Sequence, residues 1–212
     1  MLTVIFAPYN YGATLASHTA GRLLYQELKR RGEKVYYIPT PYCRKEIAEE
    51  ILDLVPEEVL IGYYGHGTRD RLCGNINYHC STFFRPYGMI DLKDVDYLKG
   101  HVYAVACWTA RQLGKIAAER EYVLSYLGFD IPCYIAYNKP EHAYLDDWAY
   151  VYGLVYPLML IETNDPELAF KFFKKEIENL IKNYKLKSNI WEYAEHYASR
   201  HISNLKHILL YY

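Results

Sequence analysis

At 212 residues, 51% apolar and 23% charged, the chain is long and apolar enough for one α/β domain with a full core, which excludes global disorder. A formal net charge of -1 removes the electrostatic case for nucleic-acid binding. Five cysteines with no CxxC spacing give no support to a zinc ribbon or a thioredoxin-like motif.

Residues 2–7 predict a first strand. The run is too short, and lacks the charged lead, for a secretory signal. A loop over 8–13 follows, and Thr14 or Ser17 can cap a helix that runs through Leu24 and Leu28 to Arg31 and stops at Gly32. Residues 34–38 predict a second strand, closed by Pro39 and Pro41. Residues 44–55 have helical spacing, with Ile47, Ile51, Leu52 and Val55 on one side, and Pro56 ends them. A third strand, Val59-Leu60-Ile61-Gly62-Tyr63-Tyr64, stops at Gly65-His66-Gly67. Residues 70–90, rich in Gly, Asn, Cys and aromatics, predict a loop or small hairpin inserted after His66. Residues 91–98 predict a short helix. A fourth strand, His101-Val102-Tyr103-Ala104-Val105-Ala106, ends on Cys107. Residues 112–127 predict a helix ending at Gly128, and residues 131–137 a fifth strand. From 141 onward the pattern predicts helices alone, over 141–160, 166–184 and 188–210.

This alternation predicts an α/β fold, a mostly parallel sheet sandwiched by helices, with a C-terminal helical extension. With no repeat, low-complexity tract or linker, it predicts a single domain over 1–212, with an α/β core over 1–140 and a helical part over 141–212. The longest apolar run, 148–161, is about 14 residues, too short to span a bilayer. The expectation is therefore a soluble, cytoplasmic protein with no membrane or nucleic-acid partner.

The chemistry is expected at two strand ends. If the third and fourth strands are parallel neighbours, His66 and Cys107 both lie at the carboxyl edge of the sheet, where open α/β sheets place their sites. They would then be a nucleophile and its acid/base partner. Each feature alone also has an ordinary reading: glycines mark tight turns, and a free Cys behaves as a small hydrophobe. Cys73 and Cys80, with His79 between them, can form a disulfide or help hold a metal, but read more simply as loop thiols. His142 and Asp146, four apart on one helix face, read as a surface pair rather than a metal site.

The pair of strands resembles the caspase/hemoglobinase-fold cysteine peptidases, the group that holds caspases, legumains, clostripain, gingipains and CHAT-type domains. Their shared pattern is an apolar strand ending in His-Gly, then one ending in Ala-Cys. Here those are Tyr64-Gly65-His66-Gly67 and Val105-Ala106-Cys107. The chain is most similar to the gingipain and CHAT-type branch, where Gly-His-Gly is common and a helix with Leu-Gly follows the Cys, as Leu113-Gly114 does. The resemblance spans residues 1 to about 185. It implies peptide-bond hydrolysis through a thioester, with Cys107 as nucleophile, His66 as acid and base, and the backbone amides of Gly67 and Cys107 as oxyanion hole. It implies a peptide or protein substrate, no metal and no cofactor. Specificity in this fold centres on one charged or polar side chain, and Arg69, Asp70 and Arg71 follow the His closely. Asp70 suits a basic substrate side chain, and Arg69 or Arg71 an acidic one. Trp108 either walls a pocket or blocks it. Val105 stands where caspases carry Gln, and Trp108 where CHAT-type relatives carry a small residue. Tyr126-Leu127-Gly128-Phe129 stands where many relatives carry Gly-Ala.

Two other readings compete. One is a caspase-like module that binds a partner without catalysis. The other is a flavodoxin- or Rossmann-like nucleotide binder, with phosphate at the loop 11–17 before the first helix. That loop has neither GxGxxG nor GxxxxGK[ST].

Overall fold

The structure, a computed structural model, describes residues 1–9, 14–74, 88–133, 143–187 and 194–212, with the backbone alone for 143–146. In chain order, β1 (Leu2–Ala7) leads to α1 (Leu15–Arg30), β2 (Val35–Pro39), α2 (Lys45–Leu54) and β3 (Val59–Tyr64). Three short strands follow: β4 (Gly67–Thr68), β5 (Arg71–Cys73) and β6 (Gly88–Asp91). A 3-10 turn at Val95–Tyr97 precedes β7 (Gly100–Val105), α3 (Leu113–Ala118) and β8 (Val123–Phe129). The helices α4 (Ala143–Tyr150) and α5 (Tyr156–Thr163) are joined by a π-helical turn, Val151–Val155. Then come α6 (Pro166–Lys187), α7 (Ala194–His207) and β9 (Ile208–Tyr211).

The main sheet has six strands in the order β2-β1-β3-β7-β8-β9. All pairs are parallel except β8 with β9. Every residue of β3 and β7 is buried, as near-continuous apolar strands covered on both faces must be. Their side chains alternate between two cores. Leu60, Tyr64, Tyr103 and Val105 face one, closed by α1 and α4 to α7. Ile61, Tyr63, Val102 and Ala104 face the other, closed by α2, α3 and the small sheet. That small sheet, β4-β5-β6, is antiparallel and grows directly out of the end of β3, so the insert begins as a hairpin. No helix among the described residues is long and apolar enough to cross a membrane.

Three expectations need correction. The helix predicted over 112–127 is the short α3, a turn at residues 119–122, and then the strand β8. No Gly or Pro separates helix from strand; instead the charged Glu119-Arg120-Glu121 forms the turn, closed by Arg120 N–H on Ala117 O at 2.9 Å and Val123 N–H on Arg120 O at 3.0 Å. The fifth parallel strand is therefore β8 and not 131–137: residues 131–133 are irregular, and 134–137 lie outside the described residues. Finally, the last helix stops at His207, and the chain turns back as β9 to pair with β8, Phe129 against Ile208 through Tyr126 against Tyr211. The C-terminal part is thus not helical alone. At the N-terminus of α1, Thr14 holds the cap position without a side-chain cap bond, and Ser17 donates to Thr14 O at 3.1 Å.

Candidate active site

His66 follows β3 by two residues. β3 and β7 pair with Tyr64 abreast of Val105, and the N–H of Gly65 reaches Val105 O at 3.4 Å, one step past the strands. His66 and Cys107 each lie two residues past this last pair, at the same end of neighbouring strands. Cys107 packs against the core that also holds Tyr64 and Val105. The residue after His66 makes the contact direct. A Cβ on Gly67 would sit 2.4 Å from Thr109 Cγ2, 2.8 Å from the carbonyl O of Cys107 and 2.9 Å from Ala106 Cβ. Only glycine lets the two strand ends close up this far.

His66 is half-buried, and burial lowers its imidazole pKa, so the ring is neutral at neutral pH and can accept a proton. Its carbonyl is held from below: Cys73 N–H donates to it at 3.0 Å, and the Tyr63 hydroxyl lies 2.5 Å away. Among the described residues, neither ring nitrogen is hydrogen-bonded.

Cys107 opens a tight turn. Trp108 adopts a left-handed backbone, φ 56°, a strained conformation for a bulky residue. The turn is fastened from β8 and beyond. Trp108 N–H donates to Ile131 O and Ala110 N–H to Phe129 O, each at 3.0 Å. Tyr211 of β9 donates its hydroxyl to Ala110 O at 3.0 Å, and Arg111 Nε donates to Asp130 O at 2.6 Å. With its N–H engaged, Trp108 has no amide to offer a ligand. The Cys107 thiol is only partly exposed, and burial pushes its pKa up, opposed by backbone amides of Cys133 and of Cys107 itself. It is therefore a thiol at rest and needs a base to become a nucleophile.

The charged run after His66 is mostly self-satisfied. Asp70 accepts from Thr68 Oγ1 at 2.6 Å and from Arg71 Nη2 at 2.8 Å, and these bonds, Arg71 first, hold its carboxyl down at about 2. Asp70 and Arg71 thus neutralise each other. Arg69 is exposed, and its backbone carbonyl accepts Leu113 N–H at 2.8 Å, tying the His66 segment to α3. Trp108, the residue after Cys107, is half-buried.

Several residues escape sequence reasoning. Tyr63, Tyr211 and Thr109 read as ordinary core or loop positions, although each fastens a strand end. Cys73 is a buried free thiol; Cys80, His79, His142 and loop residues 11–13 lie outside the described residues, as does the side chain of Asp146. No group of three His, Cys, Asp or Glu able to hold a metal occurs among the described residues. A groove of about 760 Å³ runs along α6 and β9, lined by Phe170, Phe172, Leu210 and Tyr212, but neither His66 nor Cys107 lines it.

The fold is α/β and caspase-like: a mostly parallel sheet between helical layers, with further helices at the C-terminus. The chain is similar in structure to the complex of RgpB pro- and mature domains from Porphyromonas gingivalis, with a TM-score of 0.62 at 12% identity. The likeness covers 99% of this chain and 46% of that one, so this chain spans just under half the neighbour's length. RgpB is a gingipain, and at this identity the likeness defines the fold. No protein-family model and no curated protein matches the sequence.

Proposed function

We propose that the chain is a cysteine endopeptidase acting through Cys107 and His66. The observation that supports this reading is the seating of Gly67 against the Cys107 carbonyl, at the shared end of two paired parallel strands that His66 and Cys107 each follow by two residues. The neutral imidazole takes the thiol proton as the sulfur attacks the scissile carbonyl. The backbone amides of Gly67 and Cys107 receive the oxyanion, where Gly67 can approach closely for want of a side chain. His66 then gives the proton to the leaving amine, which departs and leaves a thioester. The same imidazole activates water to hydrolyse that thioester and regenerate the thiol. For the substrate side chain, Asp70 and Arg71 hold each other, which leaves the exposed Arg69 of the charged run to receive an acidic residue.

A second reading, a caspase-like partner-binding module without activity, is favoured by the raised Cys107 pKa and by the bulky Trp108 after the cysteine. Intact-mass labelling separates the two. Peptidyl acyloxymethyl ketones bearing Arg, Lys, Asp or Asn are offered to the wild type, Cys107→Ala and His66→Ala. The peptidase reading expects one adduct, lost in Cys107→Ala and much slowed in His66→Ala. If Cys107 resists even a small alkylating agent in the folded protein, it is a core residue and the peptidase reading fails.

A further inference from the structure

Tyr63, two residues before Gly65, is fully buried, and burial keeps its phenol protonated. Buried hydroxyls need partners, and this one has two. It lies 2.5 Å from the carbonyl oxygen of His66 and 2.5 Å from that of Cys73. The hydroxyl carries one proton, so the two acceptors share it. Cys73 N–H donates at 3.0 Å to the same His66 carbonyl. The His66 carbonyl is thus held by two donors, one from β3 and one from β5, and the first stands on a fully buried ring. The ring passes directly beneath the strand end: a Cβ on Gly65 would lie 2.7 Å from the Tyr63 hydroxyl.

A histidine acid/base is usually oriented by a partner on its second ring nitrogen. Among the described residues His66 has none, and the contacts that hold it there both run through its backbone carbonyl. We propose that Tyr63 is the positioning residue of this site. Its hydroxyl clamps the peptide that carries the His66 imidazole and aims the ring along the sheet edge toward Cys107. This rests on the reading of His66 as the acid/base partner of Cys107. The neighbouring Tyr64 supplies a matched control. It is equally buried, and it donates its hydroxyl to Gly153 O at 2.9 Å, in the opposite core from Tyr63 and not to the His66 peptide.

The test compares Tyr63→Phe with Tyr64→Phe. The readouts are kcat and KM on the reporter peptide matching the reactive ketone, the rate of Cys107 alkylation by iodoacetamide against pH, and the His66 imidazole NMR signal, assigned by its loss in His66→Ala. In Tyr63→Phe, kcat is expected to fall about 10- to 100-fold, the range for losing an orienting contact, with KM within about twofold. The His66 signal shifts and its titration midpoint moves. Tyr64→Phe should lose comparable thermal stability and leave kcat and the His66 signal in place. Unchanged kcat and an unchanged His66 signal in folded Tyr63→Phe overturn the proposal. So do equal losses of kcat in both variants, which mark a general packing effect. If Tyr63→Phe does not fold, 3,5-difluorotyrosine placed at 63 keeps the shape and changes the donor, and a His66 signal that ignores it overturns the proposal. Should the wild type turn over no peptide, the peptidase reading falls, and Tyr63 is still judged by the His66 signal and the alkylation profile.

Discussion

The two halves of the sheet do different work. β3 and β7, at its centre, are buried on every residue, and their ends present His66 and Cys107. β8 and β9, toward one edge, hold the Cys107 turn from behind. Phe129 O and Ile131 O accept its amides, and the Tyr211 hydroxyl reaches Ala110 O. In the proposed mechanism the centre carries the chemistry, because parallel strands bring their carboxyl ends to one edge. The periphery carries the geometry because a strained residue such as Trp108 persists only where its surroundings over-determine it. Damage to the first half should therefore remove catalysis without loss of fold, and damage to the second should loosen both by smaller amounts.

The largest effect is expected at the centre. Cys107→Ala should lower turnover of the reporter peptide by at least about 10⁴-fold, the scale of losing a nucleophile. It should leave the melting temperature within a few degrees, since the side chain is only partly buried. Residual turnover near the wild-type level would show that the chemistry lies elsewhere.

The next effect lies in the helical layer that supports the β8 side, and it depends on pH. His201 of α7 is buried against the ring of Tyr184, and its Nδ1 is 3.1 Å from the Tyr152 hydroxyl. Asn204 Nδ2 donates to that hydroxyl at 3.1 Å, so the hydroxyl proton is free to point at the imidazole. Burial lowers the His201 pKa from 6.5 to about 4. In the unfolded chain the group protonates near its ordinary value, while the folded protein refuses the proton until about pH 4. Acid therefore favours unfolding. Stability is whole above about pH 7, falls as pH drops toward 4, and levels off below, by about 3 kcal/mol in all. Urea melts of wild type and His201→Phe across pH 4–7 check this; parallel curves for the two would count against it.

How much of this the residues announce depends on whether the cause is local. β1, β3 and β7 are apolar runs with a Gly or Pro at one end, so their burial is written in their own composition. His66 and Cys107 stand out because each ends such a run. The boundary between α3 and β8 is not legible, since Glu119-Arg120-Glu121 turns the chain with residues that also suit a helix. Gly128 looks like a helix stop, but its lack of a side chain lets Thr109 and Ala110 of the Cys107 turn cross the strand: a Cβ there would lie 2.8 Å from Thr109 Oγ1 and 3.4 Å from Ala110 N. β9 continues a helical pattern without a break, and pairs because β8 offers an open edge, a fact held by residues some eighty positions away. Tyr63 is hidden for a related reason. In an apolar strand a tyrosine reads as ring area, and only the fold shows where its hydroxyl ends.

Between the halves, Gly67→Ala tests how closely they are fitted. The new Cβ would meet Thr109 Cγ2 at 2.4 Å and Cys107 O at 2.8 Å, and the second of these is backbone, which cannot swing aside. The strand ends have to part. A loss of about 1–3 kcal/mol is expected from the overpacking. In addition, kcat should fall about 100-fold as the Gly67 amide leaves the oxyanion position. A Gly67→Ala protein with wild-type kcat would mean that this amide takes no part.

The smallest effect is expected at the far edge, and it tests whether the periphery reaches the site at all. Tyr211→Phe keeps the ring of β9 and removes the hydroxyl that reaches Ala110 O. One hydrogen bond is worth about 1 kcal/mol, and Ala110 still donates its own amide to Phe129 O, so the turn loses one of several fastenings. Stability should fall by about 1 kcal/mol. Because the bond lies three residues beyond Cys107, part of that loss should appear as a looser thiol. Alkylation of Cys107 by iodoacetamide would then quicken while kcat falls a few-fold, since access rises as aim is lost. A structural bond with no bearing on the site would lower the melting temperature and leave both rates alone. The two outcomes decide whether the C-terminal strand merely completes the sheet or also sets the position of the nucleophile.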